Sequence, residues 1–574
     1  MIIPKGNVKG GKARDERIED VLDICLSSRM DREQLCLKRK NYFLFGSTDY
    51  SDEVKYNRLQ AHTDLVASFL YAADHCRFTL SAPRNSPRQI IEQVAAMTDE
   101  WNDTFQSSGL AITYSEAVLW SLVYDSMFIK LGWNDARDEL FGKLFPPQDF
   151  AVYDESEPDL DSQEAFVHTY SLNWDNAIMR LLKAGRGDQI KNLAPKRGRY
   201  SEDMPPVLAN MMISATGGPN LGGAMAGRAN IDYEPRATYT ANSDNPMVRM
   251  HELWVWDDIT EDYAIFSKME NIPGILSDSR ETIEALRRSD KGPSRDRYKG
   301  QSNIFLENEH PFVHICPYPL YNFFWGEAHS ERLTKLQVWT NERLQQIADI
   351  LERQVDPSRI ASGFQGLTDE KVAAFGGPNT WLYEDVPGAK VEELRPPMPE
   401  DLFGEYKEIG SIFLDASGLT ETTTGKAQPG VRGQAQAKHL TMTGSGRIRK
   451  TAIGLESSLG RLGDLGVKLI QRNSTNRMVL DSGQEIIPAL LAENRIKTRV
   501  AGHSHSPLFV DETKEEAAGL FKSGAIDRVD LLKMINPPNL DVLIHNLKDR
   551  VAAEQKERQM HPPEEKTRGR SRAA

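Results

Sequence analysis

Two glycine-containing segments of the chain match parts of nucleotide-binding loops without completing either motif. Gly425-Lys426 supplies the GK of the pattern G-x-x-x-x-G-K-[ST], whose backbone N–H groups and lysine hold phosphates. Thr420 stands where the first glycine belongs, and Ala427 where a Mg²⁺-binding hydroxyl belongs. The run Gly217–Gly227 lacks G-x-G-x-x-G spacing after a strand. Neither segment predicts a nucleotide site.

Other short patterns contain the residue types of zinc ligands but not their spacing. His251-Glu252 begins like H-E-x-x-H, whereas position 255 is valine and the surrounding residues are typical of a strand. His310 and His314 are four residues apart, but the proline at 311 excludes the helix that would align them. The chain also has no G-x-S-x-G turn for a serine nucleophile. These patterns predict no active site.

Two further groups leave metal-dependent chemistry open. One is a run of five carboxylates broken by Pro158, namely Asp154, Glu155, Glu157, Asp159 and Asp161. We interpret this run as a solvated loop, with a metal cluster as the alternative. His503 and His505 fit a loop pair better than a ligand set, because no cysteine or carboxylate pattern accompanies them. A metal-dependent nuclease or hydrolase that uses these groups is therefore an alternative function.

Composition limits the class of protein. The 574 residues allow about three or four domains. With 70 basic and 83 acidic residues the net charge is −13, so contact with DNA would have to be local. Four cysteines without CxxC spacing predict no disulfide framework, and no apolar run approaches a membrane span of about 20 residues. We expect a reduced, intracellular or particle-borne soluble protein without a secretory signal.

Hydrophobic periodicity predicts helices in the first 145 residues and strands later in the chain. The expected helices are Leu59–Ala73, Arg88–Asn102 and Tyr114–Leu131. Residues 196–245 are rich in glycine, proline and asparagine and predict irregular loop. Val248–Trp256 and Tyr263–Phe266 predict an antiparallel hairpin, and Pro311–Pro317 an extended segment.

A long helix, a compact insert and a second helix follow. Apolar residues at spacings of three and four predict a helix over Ser330–Val355, with Ser330 as its N-cap and Pro357 beyond its end. The insert Ser358–Pro397 contains predicted strands at Thr380–Tyr383 and Lys390–Leu394, and Pro399–Ser417 is the second helix. The order predicts a stalk that carries a head.

The segment after the second helix cannot form a core. Thr420–Gly433 is rich in threonine and glycine and carries Lys426 and Arg432, so we expect it to be exposed or ordered by a partner. A helix over Gln434–Gln471 follows, whose glycines require close packing or a kink, and which carries a basic set, Lys438, Arg447, Arg449 and Lys450.

The C-terminal region is predicted to be mainly helical. Thr513-x-x-Glu516 has the form of a capping box and predicts the start of a helix over Thr513–Lys522. Further helices are predicted at Asp527–Ile535 and about Leu540–Gln559, and strands at Arg477–Leu480 and Ile496–Val500.

This order of features resembles the portal proteins of tailed double-stranded DNA bacteriophages. The resemblance covers about Met250 to Ile535, and it depends on order and spacing rather than on one residue. Its markers are an extended segment ending in Pro-x-Pro, then Trp325-Gly326, Leu336-Gln337, Asn341, Ala416–Leu419 and Gly433-Gln434-Ala435.

The resemblance implies an α+β portal-type subunit with a mainly helical stem and crown, an α/β wing and a small α/β clip. The implied division is a flexible arm (1–14), the wing with N-terminal helices and β hairpins (15–327), stem helix 1 (328–356), the clip (357–397), stem helix 2 (398–418), the tunnel loop (419–434), the return helix and wing strands (435–510), the crown helices (511–559) and a disordered basic tail (560–574).

The function implied is that of a ring, usually a dodecamer, at one capsid vertex of the virion, assembled in the host cytoplasm. Double-stranded DNA would pass through it without sequence specificity, catalysis or cofactor. The implied channel-lining residues are Thr423, Lys426, Gln428, Arg432 and Lys438, and the implied clip residues for partner binding are Phe364, Asp369, Glu370 and Trp381.

The partners implied are the terminase large subunit, head-completion or adaptor proteins, and the major capsid and scaffolding proteins, with no membrane. An alternative within the same setting is another ring-forming connector or neck protein. For Lys426 and Arg432 ordinary loop charge is the alternative interpretation, and for the basic set on the following helix it is a solvated or ion-paired face.

Overall fold

Helices and antiparallel sheets together form the described part of the chain, which confirms the predicted α+β class. The computed structural model describes residues 14–27, 29–48, 56–83, 86–134, 137, 139–193, 247–289, 305–306, 308–355, 358–362, 388, 390–394, 402–419, 446–473, 478–479, 485–486, 496–500, 503–535, 543–544, 546–547 and 550. Residues 1–13 of the predicted arm 1–14, the loop 196–245 and most of the final helix Leu540–Gln559 lie outside these residues, and Arg14 begins a helix.

The described α-helices lie mostly in the N-terminal and C-terminal thirds of the chain. They are α1 (Arg14–Ser27), α2 (Arg29–Phe45), α3 (Arg58–Leu70), α4 (Arg88–Ser107), α5 (Leu110–Tyr124), α6 (Trp174–Lys183), α7 (Ser279–Ser289), α8 (His329–Val355), α9 (Leu402–Ser417), α10 (Gly446–Asn473), α11 (Pro507–Lys522) and α12 (Arg528–Ile535).

The strands of the described part of the chain form two larger sheets and three pairs, all antiparallel. They are β1 (Phe78–Ser81), β2 (Met127–Asn134), β3 (Glu139–Phe145), β4 (Phe150–Val152), β5 (Ala165–Asn173), β6 (Met247–Asp257), β7 (Asp262–Met269), β8 (Ser277–Asp278), β9 (Phe312–Ile315), β10 (Ser358–Ser362), β11 (Lys390–Leu394), β12 (Met478–Val479), β13 (Glu485–Ile486) and β14 (Lys497–Val500). The larger sheets have the orders β4-β5-β6-β7-β8 and β3-β2-β9, and the pairs are β1-β14, β10-β11 and β12-β13.

The two larger sheets pack together through aromatic side chains. We call this cluster the aromatic layer; it includes Phe128, Phe145, Phe150, Phe166, Trp254 and Phe312, all buried. Phe128 stacks on Phe150 with ring centroids 4.2 Å apart. Each such ring contributes about 1.5–3 kcal/mol by leaving water, so this layer holds the strand-rich part of the molecule together.

A second core lies among the helices, with α5 and α10 at its centre. Helix α10 approaches its neighbours closely at two glycines: a Cβ at Gly463 would lie 2.5 Å from Thr498, and one at Gly466 would lie 2.1 Å from Trp101. Close packing therefore accounts for glycine at these two positions, whereas a Cβ at Gly446 or Gly454 would meet nothing within 4 Å. The described part of this helix begins at Gly446, so the predicted start at Gln434 lies outside the described residues.

The hairpin predicted at Val248–Trp256 and Tyr263–Phe266 is confirmed as β6 and β7, and the extended segment as β9. The predicted helix Tyr114–Leu131 is wrong at its end. Helix α5 stops at Tyr124, where Asp125 has φ +113° and cannot continue a right-handed helix. Met127 begins β2, which pairs with strands on both sides, so sheet formation overrides helical periodicity here.

Two predicted helix starts are also wrong. The capping box at Thr513 lies inside α11, which begins at Pro507 after the N-cap residue Ser506, because proline suits the first turn of a helix. The implied boundary between residues 510 and 511 therefore falls within a helix. Ser330 is not the N-cap of α8, which begins at His329; the Ser330 hydroxyl instead donates to the Val123 carbonyl at 2.7 Å.

Candidate functional site

The residues predicted to line a channel or bind partners lie outside the described residues. They are Thr423, Lys426, Gln428, Arg432 and Lys438 of the predicted loop and basic set, and Phe364, Asp369, Glu370 and Trp381 of the predicted insert. The structure does describe the helices and strands from which both segments leave and to which they return. The geometry of these elements is the candidate site.

Helix α8 extends from the molecule for about half of its length. Its 27 residues span about 40 Å, and Ile347 is its last buried residue. Asn341 Nδ2 donates to the carbonyl of Gly46, which directly follows α2, at 2.7 Å. The 14 residues from there to Val355 cover about 21 Å, in which Leu351 and Val355 are exposed.

Helix α9 runs antiparallel to α8 and packs against it. Arg343 of α8 and Glu405 in the first turn of α9 form an ion pair at 2.9 Å. The other end of α9 returns to α3, where the Ser417 hydroxyl lies 3.4 Å from His62 Nδ1. Ile409 and Phe413 are the buried side of α9. The two helices therefore form a hairpin, which we call the α8–α9 hairpin.

A strand pair closes the far end of this hairpin. β10 follows α8 after two residues, β11 precedes α9, and they pair from Ser358–Leu394 to Ser362–Lys390. The strand predicted at Lys390–Leu394 is thus confirmed, but its partner is Ser358–Ser362, which the sequence did not mark as a strand. The other predicted strand, Thr380–Tyr383, lies outside the described residues. The intervening chain therefore leaves and re-enters at the tip of the hairpin.

Polar side chains on α8 fix the base of the hairpin. Gln337 is fully buried; its Oε1 accepts from the Leu59 N–H at 3.0 Å, and its Nε2 donates to the Tyr56 carbonyl at 2.9 Å and to Asn341 Oδ1 at 2.8 Å. Gln337 thereby binds one of the unpaired N–H groups at the start of α3. The sequence analysis named Gln337 and Asn341 but gave them no structural role. The sequence feature that could have indicated one is a polar residue within the apolar stripe of α8.

The chain between α9 and α10 leaves and returns at one place. Gly418, at φ +78°, ends α9 in a Schellman motif in which the Leu419 N–H donates to the Leu414 carbonyl at 3.0 Å. Leu419 is buried, and Arg447 Nη1 donates to the Asp415 carbonyl at 3.2 Å. Residues 420–445 therefore begin and end side by side at the base of the hairpin, opposite the strand pair.

The described members of the basic set on α10 have different surroundings. Arg447 and Lys450 are exposed, whereas the Arg449 guanidinium lies over the Phe509 ring, 4.5 Å from its centroid. For Arg447 and Lys450, both interpretations still apply: a basic surface or an ordinary solvated face. Arg449 also packs on α11.

The residues considered for metal chemistry make structural contacts. Asp161 is paired with Arg461 at 2.8 Å and with His310 Nε2 at 2.9 Å. Burial raises the pKa of Asp161, but the His310 hydrogen bond and the Arg461 charge outweigh it and hold the pKa below its usual value. Asp154 accepts bonds from Ser156. Among the described residues, no group of three or more His, Cys, Asp or Glu side chains is placed to hold a metal ion.

The side chains of the zinc-like patterns and of the histidine pair also contact other residues of the fold. Glu252 lies in β6, and both of its oxygens accept from Lys130 Nζ, at 2.7 and 2.8 Å. His314 of β9 is half-buried and lies between two phenylalanine rings. His503 pairs with Glu456, and His505 Nε2 lies 2.8 Å from the Ala452 carbonyl. Each of these side chains therefore has a structural role.

The sequence matches no protein-family model, and no curated protein is significantly similar to it. Within the described part of the chain, no helix is both long enough and apolar enough to cross a lipid bilayer.

Proposed function

We propose that the chain is the portal subunit of a tailed double-stranded DNA bacteriophage. The observation that carries this proposal is the α8–α9 hairpin, with the β10–β11 pair at its tip and the ends of residues 420–445 together at its base. In a ring this arrangement sends one insert to a partner-binding end and one loop toward the shared axis. The hairpin is then the stem, residues 357–397 the clip, and residues 419–434 the tunnel loop.

Exposed apolar side chains on the hairpin support assembly of copies side by side. Leu351, Val355, Phe403 and Ile412 are all exposed. A neighbouring subunit that covered them would gain up to about 1.5–3 kcal/mol for each side chain fully buried. The charge of −13 on each copy opposes such contact, so the ring, which we propose to be a dodecamer, should assemble more readily as salt screens the repulsion.

The composition of the tunnel loop suits a channel through which DNA moves. Each lysine or arginine that neutralises a phosphate adds a counterion-release contribution to binding, so a dense basic surface would hold DNA in place. Lys426 and Arg432 stand among threonines, Glu421 and Gln428, which supplies few positive groups. We assign these residues, with Thr423 and Lys438, to sequence-independent contact with the DNA backbone, without catalysis or cofactor.

The clip end of the hairpin is where we place the packaging partners. Phe364, Asp369, Glu370 and Trp381 belong to the insert that leaves from β10. The terminase large subunit would dock there during packaging and head-completion proteins afterwards, while capsid and scaffolding proteins contact the rest of the ring. The protein would then reside at the portal vertex of the virion.

Deletion of Thr422–Gly430 tests the proposal. Because the described residues of the hairpin and of both cores include none from this stretch, we expect rings of normal size and a loss of DNA packaging or retention. Ring assembly is followed by light scattering, and DNA retention by nuclease protection in a packaging reaction. A deletion that abolished ring assembly would show that the loop is structural, and full packaging by the deleted protein would contradict the channel assignment.

A further inference from the structure

The first turn of α3 contacts both helices of the α8–α9 hairpin. It follows the N-cap residue Asn57, whose side-chain oxygen accepts from the Gln60 N–H at 3.1 Å. Leu59 contacts α8, and Arg58 beside it contacts α9. We call residues 57–59 the collar. Two neighbouring residues of one helical turn therefore contact both helices of the hairpin.

The contact of the collar with α8 is a buried hydrogen bond. A helix leaves its first N–H groups without backbone partners, and the Leu59 N–H is one of these groups in α3. Gln337 of α8 accepts from it at 3.0 Å, and Gln337 Nε2 donates to the Tyr56 carbonyl at 2.9 Å. Gln337 and Leu59 are both fully buried. An apolar side chain at position 337 would leave both backbone groups without these bonds, so Gln337 favours one position of α8 over others.

A neighbouring buried polar side chain of α8 makes a different kind of bond. Thr340 lies about one turn beyond Gln337 in the buried stripe of α8, and its hydroxyl donates to the Leu336 carbonyl at 2.8 Å. Donor and acceptor belong to the same helix, so this bond persists wherever α8 points. Gln337 therefore connects α8 to α3, whereas Thr340 bonds within α8.

The contact of the collar with α9 is made by the Arg58 guanidinium. Its carbon atom lies 4.5 Å from the centroid of the Tyr406 ring, within the range of a cation–π contact. The guanidinium also fills the space beside Gly410, where a Cβ would collide with Arg58 Nη1. Tyr406 and Gly410 are four residues apart and so lie on the same face of α9. The lack of a side chain at Gly410 therefore lets Arg58 pack against α9.

We propose that Gln337 and Arg58 are positioning residues that set the direction in which the α8–α9 hairpin leaves the rest of the molecule. Val355 ends α8, and 355 − 337 gives 18 residues beyond Gln337, or about 27 Å. A rotation of about 10° at Gln337 would thus move Val355 by roughly 5 Å. The inference deepens the proposed function and rests on it in one respect: if the hairpin is the stem, its direction sets where the clip and the tunnel loop meet their partners.

A distance measured within one chain tests this inference. Spin labels are attached to cysteines introduced by Val355→Cys and Ile259→Cys, at two exposed positions, one on the hairpin and one in the strand-rich part. Three of the native cysteines are buried, and burial raises the pKa of the Cys316 thiol to about 12, so the native thiols react slowly. Dilution of the labelled chain with unlabelled protein excludes distances between copies.

Substitutions at the collar contacts should loosen the hairpin, and a matched substitution should not. Gln337→Met and Arg58→Met should each broaden the distance distribution by roughly 5 Å, the displacement given by a rotation of about 10°. Thr340→Val also removes a buried hydrogen bond of α8 and should leave the distribution unchanged. Gly410→Ala should act like Arg58→Met, because the new methyl group displaces the end of a flexible side chain and leaves the fold intact.

Unchanged distributions in Gln337→Met, Arg58→Met and Gly410→Ala would overturn the inference. Equal broadening by Thr340→Val would also overturn it, because the loss of any buried hydrogen bond of α8 would then suffice. The measurement does not require a ring. Broadening in a protein that forms no ring would support the two positioning residues and contradict the portal proposal, whereas normal rings with unchanged distributions would do the reverse.

Discussion

Apolar side chains are buried in the strand-rich part of the molecule but exposed in the outer half of the α8–α9 hairpin. In the aromatic layer, Phe128, Phe166 and Trp254 are fully buried. Phe128 lies edge-on to Trp325, and Phe166 stacks on Trp254. In the hairpin beyond Asn341, Val355 is 86 % exposed and Phe403 is 52 % exposed. The first region supplies its own core, whereas the second leaves apolar side chains exposed.

Charged groups follow the same division. In the strand-rich part, Arg280 lies 3.1 Å from Asp257 and 3.0 Å from Asp278, with all three side chains buried. Breaking such a pair leaves an unpaired buried charge, which typically costs about 3–5 kcal/mol. The Arg343–Glu405 pair of the hairpin is partly exposed and is worth about 0–1 kcal/mol. The buried ion pair therefore matters for the stability of the strand-rich part, whereas the ion pair of the hairpin contributes little.

Truncation of one side chain in each region should give the largest contrast. Phe128→Ala removes the ring that contacts Phe145, Phe150 and Phe324, and should lower the free energy of unfolding by about 3–5 kcal/mol. Leu351→Ala should change it by less than about 0.5 kcal/mol in the isolated subunit, because Leu351 is already exposed. Urea denaturation followed by tryptophan fluorescence measures both. Equal losses would mean that the hairpin tip is packed as tightly as the aromatic layer.

Acid should destabilise the strand-rich part through its buried histidines. Burial, with a smaller effect of Arg32, lowers the pKa of His314 from 6.5 to about 3, and burial lowers the pKa of His168 to about 3 as well. The unfolded chain takes up a proton near pH 6.5 and the folded chain does not, so stability falls as pH decreases from about 6.5 toward 3. By pH 4 each histidine should cost on the order of 3 kcal/mol.

His314→Phe isolates this effect. Phenylalanine can occupy the space between Phe128 and Phe324 and does not titrate. The variant should lose less thermal stability between pH 7 and pH 4 than the unmodified protein, as measured by circular dichroism melting. An identical pH dependence would show that His314 does not stay neutral in the folded chain.

Alanine substitutions at two glycines of α10 should give the smallest difference in stability, and they are the most closely matched pair. Gly466→Ala brings a methyl group against Trp101 and should destabilise the protein by about 1–3 kcal/mol through overpacking. Gly454→Ala has no neighbouring atom within 4 Å and should stabilise it by about 0.5–1 kcal/mol, because alanine favours a helix. Denaturation midpoints distinguish the two. Destabilisation by both substitutions would place Gly454 in a packed environment.

Sequence periodicity predicted the elements that bury one continuous face. The α8 helix and the β6–β7 hairpin agree with prediction within a few residues because their apolar residues repeat at helix or strand spacing. The predictions failed where tertiary contacts decide. β2 has an apolar run that fits a helix, and it is a strand because β3 and β9 flank it. Thr513 has the form of a cap, but α11 starts earlier at Pro507.

The candidate site was less predictable than the fold. The pairing of α8 with α9 was expected from their order, but Ser358–Ser362 as the partner of β11 was not, since five residues with little alternation give no strand signal. The contacts of Gln337 with Tyr56 and Leu59 join positions far apart in the chain, so no local pattern reveals them.

An electron-microscopy map of the purified protein, viewed along its symmetry axis, tests the central claim most directly. Our account predicts a closed ring whose central channel admits duplex DNA, with the α8–α9 hairpins side by side and Thr423–Gly430 of every copy facing the channel. A monomeric particle, or a ring in which this segment faces outward, would contradict it.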